Sequence, residues 1–248
     1  YLASGTARID SKKEKQIISE GIYKDGKKEG YWIDINFNSK SQEGNYVNGE
    51  KNGKWILYYT HTPDDKHIKS EGNYIIISNQ GKKDGKWIEY NFNGDIVKEE
   101  NFNGASNMVS DYRHGPYIKH YKSGHVEKGN YLNGYKDGSW IIYRDDGEIL
   151  SAKNYKDKKR HGEWSDYYFV RLLPGIQEQL KEEGSYINDE RDGLWVEYYR
   201  NGNIKFKGIY DNGKREGEHI RHYENGQISS IEKYKNLERH GEWVRYMI

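Results

Sequence analysis

The chain contains no cysteine. That excludes disulfides and thiolate metal centres, and it leaves the redox compartment unmarked. Long apolar runs are missing too. The longest, such as 74–77 and 167–170, fall far short of the ~20 residues that cross a membrane as a helix, so no integral membrane segment is expected. Charge of one sign is also lacking. Forty Lys and Arg face 39 Asp and Glu, interspersed along the chain, for a formal net charge of +1. General nucleic-acid or anionic-membrane binding needs a concentrated basic surface, and the sequence has none. Aliphatic side chains are few. Hydrophobic residues make up 33% and charged residues 32% of the chain, a balance that usually marks disorder.

Aromatic residues reverse that reading. The chain holds 24 Tyr and 7 Trp. Each such side chain can bury ~150–250 Å². Any core is therefore aromatic.

The rings recur. All 7 Trp follow a glycine by two positions: Gly30-Tyr31-Trp32, Gly53-Lys54-Trp55, Gly85-Lys86-Trp87, Gly138-Ser139-Trp140, Gly162-Glu163-Trp164, Gly193-Leu194-Trp195 and Gly241-Glu242-Trp243. Gly115-Pro116-Tyr117 and Gly217-Glu218-His219 are two more copies with another ring. The glycine-to-glycine steps are 23, 32, 30, 23, 24, 31, 24 and 24 residues. Nine residues before the ring stands a Tyr in most copies: Tyr23, Tyr46, Tyr131, Tyr155, Tyr186, Tyr210 and Tyr234. Tyr74 and Phe102 fill that role in longer copies. Three residues after the ring come Tyr58, Tyr90, Tyr143, Tyr167, Tyr198 and Tyr246. A self-similar period of this length marks a repeat array.

Turn residues separate two strands in each copy. Asp25-Gly26, Asn48-Gly49, Asn133-Gly134 and Asn212-Gly213 follow the first aromatic. Asn93-Gly94, Asp146-Gly147, Asn201-Gly202 and Asn225-Gly226 follow the second. Such pairs tolerate positive φ and mark tight turns between strands. Only 170–182, with Pro174 near its start, leaves room for a helix. Strand alternation puts Ile or Val one residue after the ring on the same face as the Tyr two residues further on. The ring itself faces the other side, among charges. A glycine two residues before the first Tyr (Gly21, Gly44, Gly72, Gly129, Gly184, Gly208) leaves room for a ring to lie across the backbone. The expected fold is all-β: an elongated, single-layer, twisted or curled antiparallel sheet of about nine stacked hairpins. Residues 1–19 form a lead-in and 20–248 the array. Insertions fall near 60–70, 75–84, 103–114 and 169–182.

The pattern Gly-x-x-x-Gly-x-Trp-x-x-Tyr-x-x-x-Gly resembles the MORN repeat in its bacterial variant form, over nearly the whole chain. The resemblance implies a rod-like sheet used for protein–protein contact, with no catalysis and no cofactor. Bacterial members often carry the label of antitoxin partner of a toxin. Two further readings stay open at this point: a cell-envelope carbohydrate binder and a peripheral membrane binder. A chain that opens at Tyr1 rather than Met leads us to expect a preceding segment, and leaves the compartment open between cytoplasm and export. End strands near 10–20 and 240–248 are expected to be free to pair between copies of the chain.

Candidate chemistry is sparse. His114, His161 and His240 sit in Arg-His-Gly triplets and read as repeat features. His219 and His222 occupy the ring and Tyr positions of one copy, on opposite faces of a strand, so a shared metal is not expected. His61 and His67 flank Pro63-Asp64-Asp65 in a loop. No nucleophile has a recognisable context. For partner contact, the rings of Tyr59, Trp87, Trp140, Trp164, Tyr168, Trp195 and Tyr199 are the candidates. Their rival role is core packing.

Overall fold

The computed structural model describes residues 18–36, 39–60, 67–105, 112–168 and 179–247. Every regular element among them is a strand. In order these are β1 (Ser19–Lys24), β2 (Lys27–Asn36), β3 (Ser39–Val47), β4 (Glu50–Tyr58), β5 (Ile68–Ile77), β6 (Gln80–Tyr90), β7 (Ile96–Phe102) and β8 (Gly115–His120). Then come β9 (Val126–Leu132), β10 (Tyr135–Tyr143), β11 (Ile149–Lys156), β12 (Lys159–Tyr167), β13 (Leu180–Ile187) and β14 (Glu190–Tyr198). The last are β15 (Ile204–Asp211), β16 (Lys214–His222), β17 (Ile228–Lys235), β18 (Glu238–Arg239) and β19 (Val244–Arg245). The expected fold class holds: stacked hairpins, all antiparallel.

The chain divides into two compact units. One takes the described residues up to Tyr121 with Tyr131–Gly134; the other takes Lys122–Asn130 and the described residues from Tyr135 on. In the first unit β1 to β8 pair in chain order, each antiparallel to the next. In the second, β10 to β17 do the same, and β17 then pairs with both β18 and β19. Residues 75–84 are the tip of the β5–β6 hairpin, strand on both sides of a turn at Ser78 and Asn79. The lead-in before residue 18, His61 with Pro63-Asp64-Asp65, and most of 169–182 lie outside the described residues.

Two-residue turns close the hairpins within the copies, with both central residues at positive φ, whereas in the longer loops between copies, such as those through Asn93-Gly94 and Asn201-Gly202, only the glycine has positive φ. Asn48 and Gly49 stand at 52° and 89°. This is the turn whose twist matches that of the flanking strands. Four further turns of this kind lack glycine: Ser78-Asn79, Asn188-Asp189 and Asn236-Leu237, which the sequence signal misses, and Asp157-Lys158, which falls in the charge run 156–160 expected to be a solvated turn.

The repeat glycine makes the ring position. Gly53 has φ 70° and leaves β4 locally bulged against β3. Asn45 pairs with Asn52, Gly44 with Trp55, so Gly53 and Lys54 are extra residues on one strand. The bulge turns the Trp55 indole back across Gly44, where a Cβ would stand 2.4 Å from ring carbon Cδ2. The indole N–H donates to the Asn45 carbonyl at 3.0 Å. Trp32, Trp87, Trp140 and Trp195 repeat both features, over Gly21, Gly72, Gly129 and Gly184.

Rings then lock edge to face. Trp55 meets Tyr46 at 5.0 Å and Tyr74 at 6.2 Å between centroids, with interplanar angles of 85° and 82°. Lys51 closes the top, its ammonium 4.0 Å from the Trp55 centroid and 5.4 Å from that of Tyr74. Glycine below, phenols beside and a cation above give the indole zero exposure without a second layer of structure. A basic residue stands four positions before the ring in every copy, from Lys28 to Arg239. Contacts like that of Lys51 contribute roughly 0.5–1 kcal/mol each at exposed sites.

Three copies use a second form of the bulge. Glu100, Lys153 and Glu232 stand where the glycine is expected, and these are the copies with Arg-His-Gly. There the histidine N–H donates across the hairpin: His114 to Asn101 at 2.8 Å and His240 to Lys233 at 2.9 Å. The side-chain amides of Asn101 and Asn154 donate to the carbonyls of Pro116 and Glu163 at 2.8 and 2.9 Å. Without the glycine a ring cannot lie as deep. Trp164 and Trp243 are only half-buried, and the third copy carries the smaller Tyr117.

Candidate interaction surface

The ring-bearing face is closed by its own side chains. Trp87, Trp140 and Trp195, candidates for partner stacking, are 4%, 3% and 0% exposed. A buried indole has no free face to offer, so these rings serve the core. Tyr59, Tyr168 and Tyr199 also have internal work. Each stands four residues after a ring and donates its hydroxyl to a carbonyl of the next copy: Tyr90 at 2.8 Å, Tyr198 at 2.8 Å and His222 at 2.9 Å. Tyr223 does the same to Tyr246 at 2.7 Å. Tyr59 additionally meets Phe92, on which His67 stacks at 4.3 Å. Of the candidates, Trp164 alone is neither fully buried nor tied to the next copy by a hydroxyl.

His219 takes a Trp position and does a Trp's work. Its Nε2 lies 2.8 Å from the Ile209 carbonyl, the same contact the indoles make, so Nε2 carries the proton. Burial pushes its pKa down, the Ile209 contact opposes, and Arg215 adds to the depression. Among the described residues no three His, Cys, Asp or Glu are grouped to hold a metal ion, and no helix is long and apolar enough to cross a membrane.

The opposite face carries the Ile/Val row. In the first unit cross-strand pairing alternates Glu20, Ile33, Glu43, Ile56, Glu71, Ile88, Glu99 and Ile118. Each central glutamate is neutralised. Tyr58 and Lys40 reach Glu43; Tyr90 and Lys54 reach Glu71, both at 2.7 Å; Lys86 reaches Glu99. For Glu43, burial works upward, but hydrogen bonds from Tyr31, Tyr58 and Lys40 outweigh it and hold its pKa low. Burial and the hydrogen bond to Glu43 push Tyr31 up to about 12.

In the second unit the row breaks. It runs Ile141, Ala152, Ser165, Glu183, Val196, Lys207, Ile220, Ile231 and Val244. Ala152 replaces the usual larger residue, and Ser165 is the one copy without Ile or Val after the ring. The two are cross-strand partners, so two small side chains fall together. They floor a groove of 510 Å³ walled by Tyr167, Leu194 and Val196, with Glu163 and Glu183 in its lining. Beside it Leu194 pairs with Ile209, and both are exposed, at 57% and 47%. The repeat alignment held the signal for this groove in Ser165, but nothing local tied it to Ala152.

The family model described as MORN repeat variant matches residues 83–103, 191–212 and 215–236. No curated protein matches the chain. The matched segments include copies from both compact units. Repeats of this kind are generally found in scaffolds that mediate protein or membrane interactions, and the family is generally non-catalytic. Bulged glycine, ring and paired strands recur in the matched and the unmatched copies alike: the matched segments are MORN repeat variants, and the remaining copies are built on the same plan.

Proposed function

We propose that this chain is a non-catalytic scaffold that binds a protein partner through the face opposite its rings, centred on the second unit. The observation that carries this reading is the exposed Leu194–Ile209 pair beside a 510 Å³ groove. Apolar side chains left in water next to a concavity favour a partner that removes them from it. The buried indoles count against sugar stacking, which needs open ring faces. The near-balanced charge counts against anionic membranes.

Affinity capture from cells that make the protein tests the reading. Wild-type chain is compared with a Leu194→Asp/Ile209→Asp double variant. Both sites are exposed, so the variant keeps its near-ultraviolet circular dichroism. A specific protein is expected on the wild type and absent from the variant. Identical retention by both would remove the proposal.

A further inference from the structure

The row of glutamates opposite the rings obeys a local rule that fails at one place. The residue just before the ring reaches the glutamate on the next strand. Lys54 pairs with Glu71 at 2.7 Å, and Lys86 pairs with Glu99. In the copy of Trp32 that place holds Tyr31, which hydrogen-bonds Glu43. In the copy of Trp164 it holds Glu163, and the glutamate on the next strand is Glu183. Lysine stands there in the copies of Trp55 and Trp87, and glutamate in three copies, as Glu163, Glu218 and Glu242; among the described residues, Glu163 is the one of these set against a second glutamate on the following strand, whereas Glu218 has Lys233. The register still brings the two positions together: Glu163 pairs with Ser185 and Ser165 with Glu183 on adjacent strands.

The two carboxylates are left without a cation. Glu183 accepts the Tyr198 hydroxyl at 2.7 Å, a neutral donor that leaves its charge in place. Among the described residues no ion pair reaches Glu163 or Glu183. They are the only charged residues in the lining of the groove, which also includes the polar Asn154, Ser165 and Ser185 and the apolar Trp164, Leu194 and Val196. Like charges side by side raise the local negative potential and favour a cation from outside. The groove volume of 510 Å³ falls within the ~300–1,000 Å³ typical of sites that enclose a ligand group. An apolar wall suits the methylene stem of a long basic side chain, with the charged head at the carboxylates.

We propose that this groove receives a lysine or arginine side chain of a partner protein, which takes the place that Lys54 and Lys86 hold in the copies of Trp55 and Trp87. The inference rests on the scaffold reading above and names the chemistry of the partner. Leu194 and Ile209 supply the apolar border; Glu163 and Glu183 select the cation.

The test uses the full chain and three capped pentapeptides, Gly-Leu-X-Leu-Gly with X as Lys, Arg or Glu, at low salt. Amide shifts of Ser165, Glu183 and Val196 are followed by nuclear magnetic resonance. The Lys and Arg peptides are expected to move these signals and the Glu peptide to leave them unmoved. Glu163→Lys recreates the lysine–glutamate pair of the Trp55 and Trp87 copies. It is expected to raise the melting temperature and to weaken the Lys and Arg peptides by about tenfold, the effect of losing a close charge pair. Glu183→Gln is expected to weaken them without the stability gain. Equal response to all three peptides, or unchanged binding in Glu163→Lys, overturns the inference. A captured protein lost from Leu194→Asp/Ile209→Asp yet kept by Glu163→Lys would leave the scaffold reading standing and remove this one.

Discussion

The Trp55 indole lies across Gly44 on the neighbouring strand, so close that a methyl group on that glycine would stand 2.4 Å from the ring. No shift of a flexible tip can relieve such a contact, because the ring is held by its hydrogen bond to Asn45 and by Tyr46, Tyr74 and Lys51. Gly44→Ala therefore has to displace the indole or part the strands. Overpacking of this kind costs roughly 1–3 kcal/mol. Lys153→Ala, at the same place in a copy built with the other bulge, is expected to cost less. Urea unfolding of the two variants checks the difference.

Leu237 offers the opposite case. It sits in a tight turn at φ 73° and its side chain is 54% exposed. A left-handed backbone costs a residue with a Cβ ~1–2 kcal/mol, and the exposed side chain returns little. Leu237→Gly is expected to stabilise the chain by a few tenths to about 1 kcal/mol, part of the gain being offset by glycine's greater unfolded-state entropy. A rise in thermal midpoint would confirm this; a fall would show that the leucine packs in a way its exposure hides.

The tyrosine latches make a graded prediction. Tyr199→Phe removes the hydroxyl that reaches His222 at 2.9 Å and leaves the ring. The net cost of one such hydrogen bond is ~0.5–1.5 kcal/mol. Hydrogen exchange should speed up in β16, whose last residue is the acceptor, more than in β4, which lies in the other unit.

Acid should weaken the chain through His219. Its folded pKa is depressed, chiefly by burial, so the unfolded chain takes up the proton first. Stability is then full above about pH 6.5, the unfolded value, and is lost as pH falls below it. His222, depressed by burial and by Lys207, acts in the same direction. His219→Trp keeps the N–H donor and removes the titration, and Gly208 leaves the place for a ring as the glycines of other copies do. Thermal midpoints at pH 7.5 and 5.0 should differ less in the variant than in the wild type.

What the sequence determined is local. The aromatic period, the Asn-Gly turns and the glycine that yields to each indole are short-range steric demands, and they specify hairpins wherever they occur. The basic residue four before each ring was equally visible, yet its target was not, because Lys51 caps Trp55 on its own strand and Tyr74 on the next. The turn at Asn236-Leu237 carries no glycine and no sequence signal; strand pairing on both sides imposes its positive φ. Only the tertiary structure decided which face stays open. Residue type put Trp87, Trp140 and Trp195 among the candidates for contact, and the register buried them under cations and phenols. The groove is likewise a product of pairing. Ala152 and Ser165 are unremarkable apart, and they become a cavity floor because β11 and β12 set them opposite each other, a juxtaposition that hydrogen-bond register creates and composition does not encode.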